Sequence, residues 1–306
     1  MIIDKKKILE LFKEKQLDNS TTNLIKKKKI YYSELNSIKR DKAIIDTLKK
    51  INAENRIVTS KGRKKIWEKG WGDINYNFKK KKNVRNLIPQ FYSKRSNSYF
   101  RLNGSFIKST KSFEYEMIDI YRHWYFKKYF KNIENIYEFG AGSGHNLISL
   151  MKIFPQKKIF ASDFSKNSVN LLKNISDYKN YNWKCFKFDM KKINKRIILK
   201  KNSAVYTSGS IEQLSGKIDN FFNFINKNRP KICIHIEPMP QLFKTNNLED
   251  MLSVMALNKK RYSTNFLEKI YELKKQKKIK IIKLLKSPFG SQLIDGMNLL
   301  VWKIKD

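Results

Sequence analysis

Between Tyr137 and Asn146 the chain reads Tyr-Glu-Phe-Gly-Ala-Gly-Ser-Gly-His-Asn. Gly140, Gly142 and Gly144 alternate with small residues, so the backbone can turn tightly and bring its amides to a ligand with no side chain in the way. The apolar run Ile133–Phe139 ahead of the turn reads as a strand, and His145–Ile153 after it as a helix whose free N-terminal amides would point at that ligand. The combination predicts a turn that binds a nucleoside.

Two acids follow in an order that sharpens the reading. Asp163 comes roughly 20 residues after the first glycine and ends the candidate strand Lys158–Asp163, where its carboxylate can accept from both hydroxyls of a ribose. The competing role is to cap a helix beginning near Ser165. Asp189 ends the next candidate strand, Tyr181–Phe188. It could hold an adenine amino group while Met190 packs on the ring, or it could cap a turn. His145 stands where the dinucleotide fingerprint G-x-G-x-x-G requires its third glycine, which moves the expectation from nicotinamide cofactors to S-adenosylmethionine. Ala141, Asn146 and Phe164, within or beside these segments, complete the cofactor-side candidates.

Transfer to a hydroxyl would also need a base. His235 and Glu237 fall at the end of the candidate strand Lys231–Ile236, and alternation puts them on one side of it, at the sheet edge where open α/β folds bind ligands. His235 is the expected base because imidazole titrates near neutrality. Glu237 or Glu212 would orient it or bind substrate, and the alternative is that His235 is a hydrogen-bonded core residue. Arg95 and Arg101 interleave with aromatics, which suits a sugar ring or a phosphate-bearing carrier. With His123, among the aromatics of a helix, they form the expected substrate side. The sequence has no cluster with metal-ligand spacing.

The elements that must position these groups alternate regularly. Candidate strands also include Ser203–Thr207, Ile279–Leu285 and Asn298–Ile304. Candidate helices include 113–130, Ser165–Ile175, Ile218–Asn226 and Tyr262–Lys275. The pattern predicts an α/β fold, a mostly parallel sheet with helices on both faces, with the last two strands an antiparallel hairpin joined by Lys286–Met297. Residues 1–112 are basic and read as a mainly helical appendage, a possible substrate cap, with apolar faces at Lys7–Lys15 and Ile38–Ile51. The cluster Trp67-Glu68-Lys69-Gly70-Trp71-Gly72 is expected to break a helix into a shaped loop.

From about Glu114 onward the chain resembles class I S-adenosylmethionine-dependent methyltransferases. The resemblance is carried by Tyr137 to Gly144, Ala161-Ser162-Asp163, Phe188-Asp189-Met190 and Tyr206-Thr207-Ser208-Gly209-Ser210-Ile211-Glu212-Gln213. It implies a seven-stranded Rossmann-like sheet with an antiparallel last strand over 113–306. It also implies Glu138, Gly140, Gly142 and Gly144 on the methionine side, Asp163 at the ribose, Asp189 and Met190 at adenine, and Ser208 to Ile211 beside the sulfonium. Ser210 to Leu214, Ile234 to Pro238, and the ending Gly290-Ser291…Gly296…Val301-Trp302 resemble sugar O-methyltransferases of bacterial surface-polysaccharide gene sets. That implies a hydroxyl of a sugar or nucleotide-linked sugar as acceptor.

Composition sets the remaining bounds. The 306 residues are 41% hydrophobic and 13% aromatic, enough for one large α/β domain with an appendage. A formal charge of +39 would ordinarily point to nucleic acid or an anionic membrane. Only 10 of the 66 cationic residues are Arg, however, and Lys, Asn and Ile together suit an A/T-rich genome better than a dedicated phosphate surface. The competing readings are an RNA or protein methyltransferase that uses the basic amino-terminal region, and a non-catalytic cofactor-binding module. Cys185 and Cys233, both in apolar runs, read as buried thiols of a reducing compartment. With no apolar signal core or spanning run, the expected location is cytoplasmic.

Overall fold

The computed structural model describes residues 1–54, 60–88, 99–193, 196–262 and 265–305. Helices α1 (Lys5–Phe12), α2 (Asn19–Lys28) and α3 (Ser37–Asn52) open the chain, with strand β1 (Tyr32–Glu34) between the last two. Each begins at a side-chain cap: Asp4, Asp18 and Asn36 accept from the amides of Lys7, Thr21 and Lys39. Helix α4 (Ser60–Lys81) and the hairpin β2 (Tyr99–Leu102) and β3 (Ser105–Ser109) follow. Residues 1–112 thus carry strands besides their helices.

From residue 113 the order is α5 (Phe113–Phe130), β4 (Asn135–Phe139), α6 (His145–Ile153), β5 (Lys158–Asp163), α7 (Lys166–Tyr178), β6 (Lys184–Lys187), β7 (Ser203–Ser208), α8 (Asp219–Asn228), β8 (Ile232–Glu237), α9 (Leu248–Lys259), α10 (Phe266–Lys275), β9 (Ile279–Leu285), β10 (Phe289–Ser291) and β11 (Asn298–Ile304). Seven strands form one sheet in the order β6-β5-β4-β7-β8-β11-β9. The first five are parallel, and β11 is antiparallel to both of its neighbours. This is the expected Rossmann-like sheet. Its order reverses between β4 and β7, the crevice at which such sheets bind ligands.

Both faces are covered, which is why the central strands are apolar on both sides. Ile136, Ala161, Tyr206, Ile234 and Val301 join a core with α5, α6 and α7. Tyr137, Phe160, Val205, Cys233 and Trp302 join a second with α8 and α10. Cys233 is buried, whereas Cys185 is half-buried on the edge strand β6. Among the described residues, no helix is long and apolar enough to cross a membrane.

Three departures from the sequence reading bear on the site. Trp67 to Gly72 lies inside α4, which runs without a break through both glycines. A side chain at Gly72 would come within 2.9 Å of Asn167 Nδ2, so this glycine permits the close approach of α4 to α7. Helix α9 was not expected. The link Lys286–Met297 contains β10, which pairs antiparallel with β2 in a second sheet ordered β1-β3-β2-β10. That sheet stitches the amino-terminal region to the end of the chain.

Arg101, on β2, is the fastener of this junction. It is fully buried. Its guanidinium donates to the carbonyls of Glu249, Gln292 and Leu293 and to Ser253 Oγ at 2.7 Å. Arg101 is therefore not a substrate ligand: its donors are spent on α9 and the loop after β10. Arg101→Met would leave several carbonyls buried without a donor, and should lower unfolding free energy by about 3 kcal/mol in urea denaturation. A loss under about 1 kcal/mol would contradict this role.

Candidate functional site

A cavity of about 420 Å³ opens at the carboxyl ends of the parallel strands, within the range of about 300–1,000 Å³ common for small-molecule sites. Gly140–Ser143, His145 and Asn146 after β4, Asp163 and Phe164 after β5, and Phe188 to Lys191 after β6 form one side. Ser208 to Ser210, Glu212 to Leu214, Ile236, Pro238, Lys260 and Tyr262 form the other. Arg63, Lys64, Trp67 and Trp71 of α4 also line it.

The glycine turn is shaped by close approach. Gly140 and Gly142 have φ of +77° and +52°, in the left-handed region. Any side chain at Gly140 would collide with Ser210, and one at Gly142 would meet Trp71 Cζ2 at 2.7 Å. Asp163 Oδ2 accepts from the Gly142 amide at 3.0 Å, and Oδ1 accepts from the Ser165 amide at 2.9 Å. Burial pushes the Asp163 carboxyl up to about 6, although those amides favour its ionised form. Gly144 lies behind the turn, where its Cα faces Leu172 and Trp183.

Behind the first wall runs a charged chain. Arg122 pairs with Asp119 at 3.2 Å and donates to Asn146 Oδ1 at 3.2 Å, and Asn146 Nδ2 donates to Glu138 Oε1 at 2.9 Å. Glu138 is fully buried, and its Oε2 has no hydrogen-bond partner among the described residues. Burial drives its carboxyl up to about 8. Arg122 Nη1 also lies 3.3 Å from His145 Nδ1, and burial together with that cation lowers the imidazole to about 2. The histidine is therefore neutral.

Asp189 Oδ2 pairs with Lys64 at 2.6 Å, and Oδ1 accepts from the Lys191 amide at 3.0 Å. Burial pushes this carboxyl up, but the Lys64 bond, the Lys191 amide and the charges of both lysines together outweigh it and hold the group below its ordinary value. Trp67 and Trp71 stack at 5.3 Å, and Trp67 Nε1 donates to Gln213 Oε1 at 3.4 Å.

The expected catalytic trio separates. Glu212 lines the cavity, its Oε1 accepting from Gln213 Nε2 at 2.7 Å. Burial, and then the charge of Glu237, raise it to about 8. Glu237 is buried beneath the loop and accepts from the amides of Ser210 at 3.1 Å, Ile211 at 3.2 Å and Glu212 at 3.4 Å. It positions the loop that presents Glu212 and does not line the cavity. His235 is corrected outright as a base: it is fully buried on the far face of β8, Nδ1 lies 2.8 Å from Thr207 Oγ1, and its ring packs against Phe266 and Trp302. Burial lowers its pKa to about 3. The alternation was right that His235 and Glu237 share a side, but that side faces the second core.

His123 is likewise outside the cavity, with Nε2 2.9 Å from Ser20 Oγ. Arg95 lies outside the described residues. Of the cofactor-side candidates, Gly140, Ala141, Gly142, Asn146, Asp163, Phe164, Asp189, Met190 and Ser208 line the cavity, whereas Glu138, Gly144 and Ile211 stand behind its wall. Sequence reasoning missed the contribution of α4. The signal was the two tryptophans at helical i, i+4 spacing, which place both rings on one face.

No protein-family model matches this sequence, and no curated protein is significantly similar to it. Solved structures share parts of its shape. The mitomycin 7-O-methyltransferase matches with 8% identity and a TM-score of 0.43, over 57% of this chain and 50% of its own. A magnesium protoporphyrin IX methyltransferase from Synechocystis PCC 6803, with bound S-adenosylhomocysteine, matches with 11% identity and a TM-score of 0.46, over 62% and 83%. A SAM-dependent methyltransferase from Aquifex aeolicus matches with 16% identity and a TM-score of 0.39, over 58% and 86%. The chain thus spans only half the length of the first of these.

Proposed function

We propose that this protein transfers a methyl group from S-adenosylmethionine to a hydroxyl of a small-molecule acceptor, a sugar or nucleotide-linked sugar. The observation that carries the reading is the Gly142–Asp163 bond beside the sheet's reversal point, with both residues lining one cavity. The residues fit an amino-acid-bearing nucleoside. Asp163 ends β5 with lone pairs left for ribose hydroxyls, and His145 and Asn146 line the methionine end, backed from behind the wall by the Arg122 cation and the Glu138 carboxyl. Asp189 and Met190 would hold adenine, with Lys64 sharing the carboxylate.

When bound, the sulfonium supplies an activated methyl group, so that in-line alignment of the acceptor accounts for much of the acceleration. Glu212 is the group that takes the hydroxyl proton. Glu237 holds its loop through three backbone amides, and Gln213 holds its Oε1. The faces of Trp67 and Trp71 suit the apolar side of a sugar ring. In this reading residues 1–112 serve as a cap, with α4 excluding water from the reacting groups.

Asp163→Ala should raise the Kd for S-adenosylhomocysteine by roughly tenfold to a hundredfold in calorimetry, the range for hydrogen bonds to a charged group. An unchanged Kd would remove Asp163 from the cofactor site.

The carboxylate of Glu212 is the basic form, and its population grows as pH rises through about 8. Methyl transfer from labelled S-adenosylmethionine to a panel of sugars and sugar nucleotides should therefore accelerate as pH rises through that value and level off above it. Glu212→Gln should lower kcat by about 100-fold or more and flatten the profile. Transfer confined to RNA or protein, or an unaltered profile in the variant, would contradict the assignment.

A further inference from the structure

Arg63, in the first turns of α4, lines the cavity with only 7% of its surface exposed. Its Nη2 donates to the carbonyls of Lys260 at 2.9 Å and Arg261 at 3.5 Å, which fixes the guanidinium on the Glu212 side of the cavity. Tyr262 lies beside it, 5.7 Å from guanidinium carbon to ring centroid. Nη1 is buried and has no hydrogen-bond partner among the described residues. None of their ion pairs includes Arg63 either. Guanidinium remains charged at any physiological pH, so an unpaired buried donor on it is costly unless a ligand supplies the acceptor.

The surroundings select an anion. Lys191 and Lys260 line the same cavity, and Lys191 is lowered by burial first and then by Lys64, with Lys217 and Arg63 adding to the effect. The charge of Lys64 is answered by Asp189. We propose that Arg63 is the anchor for a phosphate group carried by the methyl acceptor, so that the substrate is a phosphate ester of a small molecule and not a neutral sugar. Guanidinium matches phosphate oxygens in geometry as well as charge. A polymer is disfavoured because the free donor is buried in the wall of a concave site, whereas a nucleic-acid backbone is tracked by exposed cations along a surface.

That the phosphate belongs to an acceptor rests on the methyl-transfer reading; that the site binds phosphate does not. The test is calorimetric titration of the full chain, with and without saturating S-adenosylhomocysteine, using glucose, glucose 1-phosphate and uridine diphosphate as probes. Vesicles with and without phosphatidic acid form a separate arm. The phosphorylated probes should bind at least tenfold more tightly than glucose. Arg63→Gln should remove that preference while leaving S-adenosylhomocysteine affinity within about twofold, and Arg63→Lys should keep part of it. Lys191→Gln, which leaves the Arg63 bonds to the Lys260 and Arg261 carbonyls untouched, should weaken phosphate binding severalfold and guards against a folding failure of the first variant. A preference seen only with phosphatidic acid, and lost in Arg63→Gln, assigns a lipid-borne phosphate. Glucose binding as well as its phosphate, or undiminished binding by Arg63→Gln, would each overturn the proposal. If S-adenosylhomocysteine does not bind while phosphate does so through Arg63, the methyl-transfer reading fails and the anion site stands.

Discussion

The amide of Gly142 donates to Asp163 Oδ2, and this bond joins the ends of β4 and β5 next to the crevice between β4 and β7 where the strand order reverses. It works because Asp163 is buried: a carboxylate withdrawn from water must be met by donors, and the turn and the start of α7 supply them. The turn in turn depends on left-handed glycines, since Ser210 and Trp71 occupy the space that side chains would need. The same device recurs across the cavity. Glu237, also buried, gathers the amides of the loop after β7 and thereby fixes Glu212. Each wall is thus a loop pinned by one buried acid at the end of a neighbouring strand.

Helix α4 connects the two walls. Its Trp71 covers Gly142, its Lys64 reaches Asp189, and its Trp67 touches Gln213. It is held against α7 by Glu68, which accepts from the Asn167 amide at 3.0 Å and from Asn167 Nδ2 through its carbonyl. The helix therefore cannot shift without changing both halves of the cavity. Arg101 performs a related task farther out, where β2 meets β10 and α9. The amino-terminal region is built into the site through these contacts.

The fold was legible where one physical signal dominated. The limits of β5, β9, β11, α5 and α6 follow from apolar periodicity and from the glycine turn. The β2–β3 hairpin also had its signal, Asn103-Gly104, whose φ of +50° and +82° suit a tight turn, but a dipeptide inside a basic, mixed region carries little weight without the strand partners. Helix α4 was obscured by Gly70 and Gly72, and local propensity does not report that Gly72 is there to admit Asn167. At the site, the glycines and strand-end acids were readable because their spacing is local. His235 was misplaced because alternation gives the side a residue shares and not which side is core. Arg63 and Trp71 reach the cavity from over seventy residues away in sequence, and no spacing rule records that.

The central claim is that this cavity holds S-adenosylmethionine with its methyl group directed toward Glu212. A crystal structure of the protein grown with S-adenosylhomocysteine tests it most directly. The account predicts the ribose hydroxyls within hydrogen-bond distance of Asp163, adenine beside Met190, and the sulfur on the side of the cavity that carries Glu212. A nucleoside bound elsewhere, or an S-adenosylhomocysteine sulfur turned away from Glu212, would contradict it.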